Sequence, residues 1–113
     1  MKLKKMHLEK VSEIQSIATM QFPFQVSYFL KSMIEIVAKE SKPFFEQKKA
    51  IVEKYRENGK IPPEHAKPFL QELESLHNEE IDIEAEKIDV PIKLMPNMSI
   101  SQISFIEQFI NIR

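Results

Sequence analysis

The sequence predicts an α+β fold, mainly α: a long antiparallel helical hairpin with a small antiparallel β-sheet and a C-terminal capping helix. Three observations carry this. Val26, Leu30, Met33, Val37, Phe44 and Ile51 fall on one seam, spaced by three, four and seven residues. The period then drops to two in "EIDIEAEKIDVPIKL", residues 80–94. The chain has one glycine in 113 residues, which suits long helices and argues against a turn-rich β-sandwich or a glycine-rich phosphate loop.

The length fits a single domain over residues 1–113. Residues 2–6, "KLKKM", read as a short edge strand whose lysines discourage further pairing. Residues 7–19 carry Leu8, Val11, Ile14, Ile17 and Ala18 at helical spacing. Pro23 ends this helix or starts the next. The long helix runs from about 24 to 57, with Phe22 and Phe24 covering its start. Pro43 either kinks it or divides it, Ser41 then being an N-cap. The apolar phase continues across Pro43, which favours a kinked, nearly continuous element. Fully helical, it would reach about 50 Å.

"ENGKIPPE", residues 57–64, is the clearest break, with Asn58-Gly59 as a helix C-cap and Pro62-Pro63 as a rigid link. A second amphipathic helix follows over 66–77, with Phe69, Leu70, Leu73 and Leu76 on its face and Pro68 in its first turn. The tight connection makes it antiparallel to the long helix. Strands are expected at 80–85 and 88–94, the latter interrupted by Pro91. Ile88, Val90, Ile92 and Leu94 would form its buried face. The last helix, 101–111, takes Ser101 as N-cap and buries Ile103, Ile106, Phe109 and Ile110.

Net charge is −1, so nothing global draws the chain to nucleic acid. The charges are uneven: lysines crowd the first ten residues and carboxylates crowd 72–89. Those opposite charges either pair across a sheet or face water, and solvent is the safer expectation. Lysines on the long helix alternate with glutamates, the pattern of a salt-bridged solvent face.

Little reactive chemistry is visible. There is no cysteine, hence no thiolate nucleophile or thiolate zinc site. His7, His65 and His77 are too far apart for a two-histidine helical motif, and no GxSxG occurs. The acidic stretch lacks the glycine-turned cage of a calcium loop. We expect no catalytic residue, no cofactor and no metal site. No apolar run is long enough to span a bilayer, and no continuous apolar stretch follows Lys2, Lys4 and Lys5 as in a signal peptide. The chain reads as soluble and not exported, without a membrane partner.

What is left is apolar surface. Phe44 and Phe45 are adjacent and cannot both face one helical neighbour. Phe22, Phe24, Tyr28 and Phe29 likewise point around the helix. Either the terminal helices cover this surface or a protein partner does. Candidate contact residues are Tyr28, Phe45, Ile51, Val52 and Tyr55.

The run "PFQVSYFLKSM", then "FFEQKKAIVEKYREN", then "FLQELESLHNEEIDIE", then a closing "ISQISFIEQFI" resembles a family of small bacteriophage and prophage proteins of unknown function. Phe45, Glu46, Lys49, Ile51, Lys54 and Tyr55 match its middle motif. Phe69, Glu72, Leu73, Leu76, Asn78, Glu79 and Ile81 match the next, and Ile100, Ser101 and Ile103 the last. Pro43 and Pro68 depart from the pattern. The resemblance implies a viral origin, in host cytoplasm or on the virion. The function expected is a non-enzymatic assembly or accessory structural factor that oligomerises. The alternatives are a host-directed inhibitor or regulator binding a bacterial protein, and then a nucleic-acid-binding accessory.

Overall fold

The computed structural model describes residues 1–113, the side chains of Val11 and Ser12 excepted, so the expected inward position of Val11 lies outside the described residues. The fold is α+β and mainly α. In chain order it comprises β1 (Lys2–Lys4), a 3-10 helix (Lys5–Glu9), α1 (Val11–Ala18), α2 (Phe24–Tyr55) and a 3-10 turn at Pro63–His65. There follow α3 (Ala66–Asn78), β2 (Glu80–Asp82), β3 (Ile88–Val90), a 3-10 turn at Ile92–Leu94, α4 (Ile100–Ile106) and β4 (Ile110–Ile112).

The seam of α2 is the spine of the core. Val26, Leu30, Met33, Val37 and Phe44 are all buried. The helix runs unbroken through Pro43, and Ser41 is an interior residue whose hydroxyl donates to Val37 O at 2.7 Å. Pro43 and Lys39 are both exposed. Water can therefore serve the Lys39 carbonyl that proline leaves without a donor. The molecule is 52 Å long, as a helix of 32 residues requires. α3 returns antiparallel along the second half of α2. Phe69 meets Tyr55 near the turn, Glu72 meets Lys54, and His77 meets Phe44 further along.

Several local expectations change. Asn58-Gly59 does not cap α2, which ends at Tyr55. It forms the centre of a two-residue turn, with φ of 51° and 79°, closed by paired bonds between Glu57 and Lys60. The expected 7–19 helix is two pieces that change direction at Lys10 (φ −88°, ψ 54°). The reason is packing: the 3-10 piece, with Leu8 fully buried, lies on the α2–α3 hairpin, whereas α1 lies against α4. No single straight helix reaches both. The edge strand stops at Lys4, where a 3-10 helix begins, although the Lys5 N–H still donates to Glu79 O at 2.8 Å in the register of the ladder.

The strands form two separate two-stranded sheets. β1 pairs antiparallel with β2, in the register Lys2↔Asp82, Leu3↔Ile81 and Lys4↔Glu80. The basic and acidic segments therefore pair through their backbones, while the side chains of Lys2, Lys4, Glu80 and Asp82 stay exposed to solvent, as expected. Lys5 extends the match with a 2.6 Å ion pair to Glu79. The 88–94 strand ends at Val90. Beyond Pro91 the chain coils, leaving Ile92 and Leu94 exposed instead of buried. The 101–111 helix is shorter and starts earlier. Ser99, not Ser101, is the N-cap, in a capping box with Gln102. α4 ends at Ile106 and the chain becomes β4, parallel to β3. Ile-Asn-Ile is a β-branched alternation.

Candidate functional site: exposed apolar surfaces

Of the five residues expected to contact a partner, only Tyr28 and Phe45 are exposed. Ile51, Val52 and Tyr55 are half-buried. Tyr55 is occupied in the hairpin. Its ring meets Phe69 and His65 edge-on, its carbonyl lies 3.2 Å from His65 Nδ1, and the Lys54 ammonium sits over its face. Ile51 packs against the core beside α3. Phe45 leans edge-on against the buried Phe44 with centroids 5.2 Å apart. Tyr28 precedes Phe45 by 17 residues, about 25 Å along the axis. The five do not form one patch.

The largest exposed aromatic surface lies elsewhere, at the start of α2. Phe24 is 80% exposed and Tyr28 65%, and their rings stack with centroids 6.2 Å apart. They are one turn apart, and at about 100° per residue they point away from the Val26–Leu30–Met33 seam. Phe24 does not cover the start of the helix as expected. Phe22 does so in part. With Ile17, Met20, Leu30 and Ile34 it lines an apolar groove of about 320 Å³ between α1 and α2. The helical wheel alone places Phe24 beside Tyr28, so that signal was available in the sequence.

A second exposed apolar zone was missed. Ile92, Leu94 and Ile100 are 69%, 46% and 84% exposed, the first two in the connection from β3 to α4 and the third at the start of α4. Expecting residues 92 and 94 in a strand hid it. Beside this connection lies the larger groove, about 670 Å³, against β4.

The charged groups form pairs along the hairpin. Lys31 meets Glu35 at 3.5 Å, Lys54 meets Glu72 at 2.7 Å, and Arg56 meets Glu53. Glu9 accepts from Lys48 at 2.6 Å and lies 2.9 Å from His77 Nε2. Burial pushes the Glu9 carboxyl up, but those two hydrogen bonds and the partners' charges outweigh it and hold it below the ordinary range. His7 is the opposite case. Burial first, then the charges of Lys10 and Lys4, hold it below its ordinary value, and its Nδ1 is buried without a partner. Among the described residues no three histidines or carboxylates gather as a metal-binding group, and no helix is long and apolar enough to cross a membrane.

No protein-family model, curated protein or solved structure matches this chain.

Proposed function

We propose that this protein acts through protein–protein contacts rather than catalysis, as a phage-type assembly or accessory structural factor. The observation that supports this most is the Phe24–Tyr28 stack. Two large aromatic rings stand in solvent on the face of α2 opposite its buried seam, so the first turns of this helix are apolar on two sides. Such a helix segment suits a second partner. Aromatic side chains are also the typical anchors of protein interfaces. The phage-type part of the reading rests on the resemblance of the α2, α3 and C-terminal segments alone.

Size-exclusion chromatography with light scattering, run on untagged protein over a range of concentrations, tests this. The expected result is a defined oligomer that a Phe24→Ser/Tyr28→Ser double variant dissociates while remaining folded. A monomer at every concentration would remove the self-assembly form. The host-directed form would then rest on a foreign partner captured by the wild type and not by the double variant. If neither self-association nor such a partner depends on these rings, the reading is wrong.

A further inference from the structure

The groove between α1 and α2 and the Phe24–Tyr28 stack lie on one stretch of chain. The stack stands at residues 24 and 28, and the groove is lined by residues between Ile17 and Glu35. Three lining residues, Ser27, Leu30 and Ile34, belong to α2. They lie about 60–120° round the helix from Phe24, at the usual turn of about 100° per residue. Phe24 does not fill the groove of its own chain: it is 80% exposed and stacks on Tyr28.

The lining states what the groove accepts. Ile17, Met20, Phe22, Leu30 and Ile34 make it apolar. Its one hydroxyl, on Ser27, already donates to Phe22 O at 3.3 Å. Its two charged residues, Lys31 and Glu35, meet each other at 3.5 Å and leave no net charge at the mouth. An apolar ring satisfies each of these conditions, whereas a charged ligand would have to break that pair. The size fits as well. A cavity of about 150 Å³ walled by aliphatic and aromatic side chains takes a benzene ring. At about 320 Å³ the groove has room for a phenyl group.

We propose that two copies of this chain form a two-fold dimer in which Phe24 of each copy enters the α1–α2 groove of the other. This rests on the reading of the Phe24–Tyr28 stack as a self-association surface and names what receives it. Ring and groove share one segment, so a single two-fold axis makes both contacts at once and the pair closes. A ring and a pocket on unrelated faces would instead propagate into an open chain. The two α2 helices must cross. Side by side and antiparallel, a two-fold axis sets like flanks together and brings ring against ring. The two rings, 80% and 65% exposed, offer about 300 Å² per copy. Covered together with their receiving surfaces in both copies, they give about 1,200 Å² in total, the lower end of the range for specific interfaces. The dimer should therefore be reversible, in balance with monomer.

Two measurements on the full chain test this. Ala18 is exposed at the end of α1 and lines the groove, so Ala18→Trp fills it from a surface position. In size-exclusion chromatography with light scattering, the wild type should approach two chain masses and no more. Ala18→Trp should raise the dissociation constant about tenfold or more, with an unchanged circular dichroism spectrum. The second measurement replaces Phe24 with photoreactive p-benzoylphenylalanine, which keeps an aromatic ring there, in a mixture of unlabelled and isotope-labelled chains. Irradiation should link position 24 to lining residues of the other copy, Met20 foremost, because benzophenones favour methionine C–H bonds. Links confined to residues 24–28 of the other copy, or an Ala18→Trp chain that dimerises like the wild type, would overturn the groove contact. Either result leaves aromatic self-association standing, provided that Phe24→Ser/Tyr28→Ser still dissociates the dimer. A dimer indifferent to that double variant, or a monomer at every concentration, would overturn the groove contact and self-association through these rings together. A mass that grows without limit would overturn the closed pair.

Discussion

Phe44 and Phe45 are neighbours of the same residue type, and the structure assigns them opposite fates. Phe44 is fully buried where α2 and α3 meet, its ring 6.0 Å from that of His77. Phe45 is 39% exposed and keeps one notable ring contact, with Phe44 itself. Phe44→Ala removes a whole buried ring from an element held on two sides, and such truncations cost about 3–5 kcal/mol. At about 2.1 cal/mol/K of unfolding entropy per residue, a chain of 113 residues loses about 17 °C in Tm for a 4 kcal/mol change. Phe45→Ala forfeits part of its burial and an edge-on ring contact worth about 0.5–1.5 kcal/mol. Its total should stay near 1–2 kcal/mol by the usual area scale, or about 4–8 °C by the same entropy. Urea and thermal unfolding followed by circular dichroism read both variants on one scale. If Phe45→Ala costs as much as Phe44→Ala, the assigned rotation of α2 is wrong, and with it the division between its buried and exposed faces.

Three other perturbations probe separate features. Pro43→Ala should stabilise the protein by about 1–3 kcal/mol in urea unfolding, because it restores a helical N–H in an exposed position of a continuous helix. No gain would mean that the helix is interrupted there. Gly59→Ala should cost about 1 kcal/mol although a Cβ meets nothing within 4 Å, because the price is the backbone φ of 79° alone. An unchanged denaturation midpoint would argue against the two-residue turn. His7 should make stability fall as pH drops below about 6.5. Its folded value is lowered by burial and by Lys10 and Lys4, so the unfolded chain takes up the proton first. The contribution is therefore complete above the unfolded value of about 6.5 and is lost as pH drops below it. His7→Gln should flatten that part of the pH profile, and an unaltered slope would exclude His7 as its source.

The two helices of the hairpin, α2 and α3, were legible because their signals are local. The spacing of Val26, Leu30, Met33, Val37 and Phe44 predicted the buried seam of α2, and its uninterrupted phase predicted that Pro43 would not break it. The amphipathic stretch before Asn78 predicted α3 to within a residue. The strands were read as short, but their partners were not identifiable. Three-residue strands with period two state a buried face and carry no register. The "FINIR" segment fits a helix stripe as well as a strand when read alone. Only the presence of β3 beside it decides for a strand.

Among the residues expected to meet a partner, Tyr28 and Phe45 are exposed, whereas Tyr55 lies within the hairpin. The difference is not visible along α2. It depends on α3, which returns over the second half of that helix and meets Tyr55 but leaves Phe45 outside, while the outer side of the first half stays open. The sequence by itself determined α2, α3, the buried seam of α2 and the break over 57–64, since each follows from contacts or backbone preferences within a few residues. The tertiary structure alone decided three things: the pairing of the basic β1 with the acidic β2, the parallel β3–β4 pair, and the solvent exposure of Phe24, Ile92 and Ile100. Those follow from which distant surfaces meet. A periodic apolar pattern states only that a face seeks a partner, and packing decides which faces find one within the chain.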